Sequence, residues 1–305
     1  MHSRRKFLAL GAGLTGFLGL GGYSFGYEPR SGPTITEYAP QLPRWPADLS
    51  LRIAVLTDIH VGGYAMPPAR LEHVVAATNA LEPDIVLLLG DYVMGWHPRH
   101  TELALLAAIT LRQLRAPLGV HAILGNHDWW DVREAQKRRD GPVPTQLALE
   151  KFGIPVMENK AVKLLQNGHP FWLLGLGDML AFRVGGWPRD WGSEGGRDDL
   201  PSTLAQMDDD APAILMAHEP DIFPHVPPRV SLTLSGHTHG GQVRLFGYSP
   251  IVPSQFGNRY AYGHVIEDNR HIIISSGLGT GSLPVRLGAP PEIVLITLGK
   301  QKALA

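Results

Sequence analysis

Apolar run after apolar run in this chain stops at a residue that can hold a metal ion or move a proton. Leu51–Leu56 leads to Asp58 and His60, and the run "DIVLLLGDYV" contains Gly90-Asp91. "GVHAILGNHDWW" leads to Asn126 and His127, "APAILMAHEPD" to His218, and "VSLTLSGHTHGG" to His237 and His239. Short continuous apolar runs are what strands covered on both faces require. Between the first three lie stretches with helical spacing, Pro68–Leu81, opened by proline, and Glu102–Leu114. Strand, helix, strand, helix, strand predicts an α/β sheet with crossover connections. In such sheets the loops at the carboxyl ends of the strands collect in one place. The acids, the amide and the imidazoles are therefore expected to meet.

The later strands, Lys160–Leu165, Phe171–Leu176, Tyr262–Ile266, His271–Ser275 and Ile293–Leu298, are expected to build a second sheet. With 44% hydrophobic and 18% charged residues, the chain can bury a sizeable core. A formal charge of -1 gives no basic field for nucleic acid, and none is expected as a partner. The absence of cysteine excludes disulfides, thiolate catalysis and Cys-type zinc sites.

The first 27 residues read as an address. Arg4, Arg5 and Lys6 precede an uncharged stretch to Tyr27, and Ser3-Arg4-Arg5-Lys6-Phe7-Leu8 resembles a twin-arginine export signal. Gly11-Ala12-Gly13-Leu14-Thr15-Gly16 matches a dinucleotide fingerprint, but it follows no strand and is rejected. Residues 28–50, rich in proline, read as a linker, and 51–305 as one domain. These features predict export through the twin-arginine machinery. The protein would then lie in the periplasm or on the outer face of the cytoplasmic membrane, cleaved or still anchored.

Imidazole suits zinc, iron or manganese, and carboxylate or amide oxygens suit harder ions. One aspartate can bridge two cations. Two ions about 3.5–4 Å apart can share a hydroxide and align a phosphate for in-line displacement. Taken in order, Asp58-x-His60, Gly90-Asp91, Gly125-Asn126-His127-Asp128, His218 and Gly236-His237-x-His239 resemble the calcineurin-like metallophosphoesterase superfamily. Within it the chain is most similar to bacterial phosphoesterases exported by the twin-arginine route. The resemblance implies a four-layer αββα sandwich, two mixed sheets flanked by helices. It also implies two divalent ions, manganese, zinc or iron. One would be held by Asp58, His60, Asp91 and His239, the other by Asp91, Asn126, His218 and His237, with Asp91 as the bridge. His127 would bind no metal and would assist the leaving group.

The chain departs from the family at two informative places. Where phosphoprotein phosphatases have G-D-x-x-D-R-G, this sequence has Met94 for the supporting acid and Gly95 for the phosphate-binding arginine. A phosphoprotein substrate and the usual orienting partner of His127 are both in doubt, and Asp128 is adjacent. Tyr92 lies one residue after Asp91, not three, so no tyrosinate–iron site is expected.

Around the motifs, Trp96, Trp129 and Trp130 either wall the site or pack the loop bases. Arg183–Pro201 reads as a long loop over the cleft or a surface insertion, Arg286 as a phosphate contact or a surface ion pair, and His264 as a weak cleft candidate. The expected activity is phosphoester hydrolysis, a phosphodiesterase outside the membrane with a metal-bridging hydroxide as nucleophile. Its substrate would be a small phosphoester or a phospholipid-type molecule, with the membrane near through the N-terminus. The alternatives are an envelope pyrophosphatase acting on nucleotide-linked lipids, and a metal-binding envelope protein without catalysis.

Overall fold

The computed structural model describes residues 18–95, 99–182 and 195–299. The twin-arginine motif, Trp96 and most of the Arg183–Pro201 loop lie outside the described residues.

Two mixed sheets stack face to face. The first contains β1 (Thr34–Tyr38), β2 (Leu51–Leu56), β3 (Ile85–Leu88), β4 (Val120–Ala122) and β11 (Glu292–Leu298), in the order β1-β11-β2-β3-β4. β2, β3 and β4 run parallel, joined by helices α1 (Pro68–Ala80) and α2 (His100–Leu111). The second contains β5 (Lys160–Gln166), β6 (His169–Gly175), β7 (Ala213–Met216), β8 (Leu232–Ser235), β9 (Gly263–Glu267) and β10 (Arg270–Ile274), ordered β5-β6-β7-β8-β10-β9. β6, β7, β8 and β10 are parallel, and the edge strands β5 and β9 pair antiparallel.

Alternation along the strands sorts the core into layers. Ile53 and Val55 of β2 point inward with Ile85 and Leu87 of β3, against Leu173, Ile214, Met216 and Leu234 of the second sheet. Ala54 and Leu56 point outward and pack with Leu71, Val74, Leu103 and Ala107 of α1 and α2. On the far side Leu174, Leu215 and Ile274 meet Leu200 of a short helix, Leu200–Ala205, and Ile222 of the turn Pro220–His225. Each large apolar side chain so buried contributes roughly 1.5–3 kcal/mol. Helix, sheet, sheet, helix is the four-layer sandwich expected.

Two boundaries differ from expectation. β11 belongs to the first sheet, not the second, because it pairs antiparallel with β2, Ile296 opposite Ile53. Its whole apolar run is buried on both faces there. Residues 28–50 are also more than a linker. β1 pairs in parallel with β11, Leu42 and Trp45 join the core between the sheets, and Trp45 Nε1 donates to the Leu49 carbonyl at 2.7 Å. The β-branched alternation Thr34-Ile35-Thr36 was a strand signal hidden among prolines. Still earlier, the Glu28 carboxylate accepts hydrogen bonds from the Gly288 and Ala289 amides at 3.1 and 2.9 Å.

Candidate metal centre

Every candidate motif lies just past a strand end. Asp58 and His60 follow β2, Asp91 follows β3, and Asn126 and His127 open a short helix, α3 (Asn126–Trp130), beyond β4. His218 follows β7; His237 and His239 follow β8. Asp58, His60, Asp91, His237 and His239 all have φ between 50° and 66°. The left-handed region is strained for residues with a Cβ, and such strain persists only where surroundings enforce it.

Those surroundings are visible. The Asp58 amide donates to the Gly90 carbonyl and the His60 amide to the Asp91 carbonyl, at 3.1 and 3.0 Å. The Asp58 carboxylate accepts from the His237 amide and from Thr57 Oγ1. Asp128 staples two loops, its carboxylate accepting from the amides of Asp91, Tyr92 and Gly125 at 2.9, 3.2 and 2.9 Å. Two glycines are bare because the site is crowded: a Cβ on Gly125 would fall on Asp91 Oδ1 and His218 Nε2, and one on Gly236 on Asp58 Oδ2.

The side chains converge as two groups sharing Asp91. In one, His60 Nε2 lies 3.2 Å from His239 Nε2 and 3.6 Å from Asp91 Oδ2, and His239 Nε2 lies 3.4 Å from Asp58 Oδ1. In the other, His218 Nε2 lies 3.3 Å from Asp91 Oδ2, and His237 Nδ1 stands 2.9 Å from Asn126 Oδ1. Two ligands about 2.1 Å from one ion and about 100° apart are themselves about 3.2 Å apart, so these separations suit shared cations. Potential ligand atoms of Asp58, Asp91 and His218 lie within 4.8 Å of one another, which brings the two groups together.

Electrostatics agree. Burial pushes the His60 and His237 imidazoles down to about 4, leaving neutral rings with free lone pairs. Burial likewise pushes the Asp58 carboxyl up to about 6. Burial also acts to raise Asp91, but the imidazoles of His218, His127 and His60 outweigh it and hold that carboxyl well below its usual range. A buried anionic Asp91 calls for positive charge nearby. Among the described residues, the ion pairs of Asp58 and Asp91 are with histidines, and no Lys or Arg makes one. Nε2 of His60, His218 and His239 each stand within 3.6 Å of an oxygen of Asp58 or Asp91. The donor set fits divalent ions.

His127 stands apart from both groups. Its amide donates to Asp91 Oδ1 at 2.8 Å, and its Nδ1 lies 3.0 Å from Asp131 Oδ2. The ring is edge-on to His60, with centroids 5.1 Å apart, and its side chain is 19% exposed, so it reaches the rim. Burial works to lower its pKa; Asp91 and Asp131 together raise it.

Asp131 is the orienting acid the sequence reading did not find. The spacing His127-x-x-x-Asp131 on one helical turn was the available signal. Gly95 is bare beside it: a Cβ there would come within 2.9 Å of Asp131 Oδ2, so an acid from α3's end fills space next to the loop position that Met94 and Gly95 leave without charge. Glu219 and Asp178 were missed too. Both are buried, Glu219 neighbours His218 and His237, and its Oε1 has no hydrogen-bond partner.

The peripheral candidates resolve plainly. Arg286 is fully buried and meets neither solvent nor cleft; it donates to the carbonyls of Ser276, Gly277, Gly279 and Ala289. It thereby braces the loop whose Gly279 amide holds the Asp58 carbonyl at 2.7 Å. His264 pairs with His271 at 3.0 Å on the second sheet's edge, outside the cluster. Trp129 is packing, beneath the Arg197 guanidinium at 4.7 Å. Trp130 stands 5.5 Å from the His127 ring and walls that side.

Stacked mixed sheets with acids, an amide and imidazoles gathered at their strand ends define a metal-dependent hydrolase. The calcineurin-like phosphoesterase family model matches residues 51–241, and the chain belongs to that family. The uncharacterized metallophosphoesterase YkuE of Bacillus subtilis is 31% identical over 309 residues, covering 97% of this chain and 97% of its own. An uncharacterized metallophosphoesterase of Aquifex aeolicus is 29% identical over 264 residues, covering 87% of this chain and 91% of its own. Among solved structures, a dimetal phosphatase from Danio rerio superposes with a TM-score of 0.42 at 13% identity, over 76% of this chain and 88% of that one. The protein is thus a metal-dependent phosphoesterase of a family that uses a dinuclear divalent centre.

Proposed function

We propose that this enzyme is an exported phosphodiesterase acting outside the cytoplasmic membrane. Asp58, His60, Asp91 and His239 hold one ion, and Asp91, Asn126, His218 and His237 the other, drawn from manganese, zinc or iron. When bound, the two ions supply phosphate charge neutralisation and a nucleophile at neutral pH. His127, its Nδ1 directed at Asp131, presents its other nitrogen to the leaving oxygen and protonates it as the ester bond breaks.

The observation that carries the diester preference is the absence, among the described residues, of a Lys or Arg paired with the cluster. A monoester brings two negative charges and a diester one, so a site without arginine favours the diester. Export rests on the Arg4-Arg5 motif. A route that carries folded proteins suits a centre assembled from both sheets, because the ions can be loaded before transit.

The test is hydrolysis of chromogenic aryl diesters and monoesters by metal-replete protein, with elemental analysis of the same sample. Faster monoester turnover would overturn the preference. For export, Arg4→Lys/Arg5→Lys should leave the protein in the cytoplasmic fraction.

A further inference from the structure

The backbone strip Arg286–Ala289 carries something on each edge. On one, the Arg286 amide donates to the Ser24 carbonyl at 2.9 Å and Glu28 caps the Gly288 and Ala289 amides. This fixes the turn Gly22–Tyr27, on which Tyr23, Phe25 and Tyr27 are exposed. On the other edge, Val243 pairs with Leu287 and starts a hairpin. Leu245 and Tyr248 exchange hydrogen bonds at 2.8 and 2.9 Å across a tip made of Phe246 and Gly247. Both tip residues have positive φ, 51° and 84°, the geometry of a tight two-residue turn.

That hairpin points its apolar side chains at solvent. Phe246 is fully exposed, and Leu245, Tyr248, Ile251 and Leu283 are 49–75% exposed. Single exposed apolar residues are ordinary; five large ones in neighbouring loops are not. The hairpin also starts four residues beyond His239, and Gln242 ties its base to Gly281 and Leu283 at 2.6 and 3.0 Å. A Cβ on Gly281 would stand 3.8 Å from His239 Nε2, so the hairpin springs from beside the metal centre.

We propose that the Leu245–Ile251 hairpin and Leu283 dock on a lipid bilayer, laying the mouth of the site against the membrane surface. The occupant follows from the sequence that leads into the strip. The sequence before residue 18 includes Arg4, Arg5 and Lys6 followed by an apolar run, and the chain that continues it reaches the same strip at Ser24. A basic-then-apolar segment is membrane-seeking, and amphipathic loops beside it meet the same interface. The substrate class becomes a phosphodiester presented by the bilayer, a lipid headgroup ester; this rests on the phosphodiesterase reading above.

The chain lacks cysteine, so single labels are unambiguous. Full-length F246C, I251C and L283C proteins carry an environment-sensitive fluorophore in vesicles of phosphatidylcholine and phosphatidylglycerol with brominated acyl chains. L165C, 63% exposed on β5, is the control. Docking gives at least about twofold quenching at 246 and 251 and none at 165. A label at 246 that is as unquenched as at 165 overturns it. So does a label already shielded from iodide before vesicles are added, which would mean that the face is covered by a second copy or by the chain's own N-terminus.

In parallel, F246S/I251S should lower hydrolysis of a vesicle-embedded phosphodiester about fivefold or more, with a soluble aryl diester unchanged. Equal loss on both substrates overturns docking. Failure of the unsubstituted protein on every diester sinks the phosphodiesterase reading instead and leaves the label result standing.

Discussion

The two halves of the metal centre are built differently. In the half that holds His218 and His237, His218 Nδ1 is anchored on the Leu89 carbonyl at 2.6 Å, so its ring is aimed before any ion arrives. In the half made by His60 and His239, both Nδ1 atoms are buried without hydrogen-bond partners. The two rings there meet each other, Nε2 to Nε2, at 3.2 Å. One half is pre-oriented and the other is completed by its ion, so the two ions should differ in exchange rate.

The comparison breaks most completely at the shared residue. Asp91→Asn should lower diester turnover by about 10³-fold or more and leave less than one ion per chain by elemental analysis. Retention of two ions would remove Asp91 from the bridge. Next in size, Asp131→Asn should cut kcat about 10–100-fold, with KM and the metal count little changed and the limb of the pH–rate profile set by His127 displaced. An unchanged pH profile would mean that Asp131 only packs.

Stepwise chelation sharpens the contrast between halves. Wild-type protein should release one ion fast and one slowly, and His60→Ala should abolish only the fast phase. Loss of the slow phase would invert the assignment. Glu219→Gln should weaken only the slow ion, about tenfold.

Acid should expose a further difference. Without ions, Asp58 takes up a proton near pH 6, whereas His60 and His237 stay neutral down to about 4. An ion binding at Asp58 must displace that proton once the pH is below 6. Affinity in that half should fall about tenfold per pH unit from 6 downward and level off above it, measurable by titration calorimetry. A flat response between pH 5 and 7 would exclude Asp58.

Much of the site was legible because each candidate sits at the end of an unbroken apolar run, and a strand end in a parallel arrangement has only one place to go. Sheet membership was less legible. Nothing in Ile293–Leu298 says which sheet it joins, since a strand buried on both faces looks alike in either. β1 was masked by its prolines. Asp131 escaped because Met94 and Gly95, just after Asp91, drew the reading to that loop, while the structure supplies the acid from the end of α3. Arg286 misled because a lone arginine in a glycine-rich loop suggests solvent, whereas here its three nitrogens donate to four buried-loop carbonyls.

The left-handed backbone at positions 58, 60, 91, 237 and 239 has a consequence for how this fold tolerates change. Each such residue costs of order 1 kcal/mol or more that glycine would not incur. A library screened purely for thermal endurance would drift toward glycine or asparagine there. It would return sturdier chains with no catalytic competence, so ranking variants of this enzyme by melting temperature would discard the working ones first.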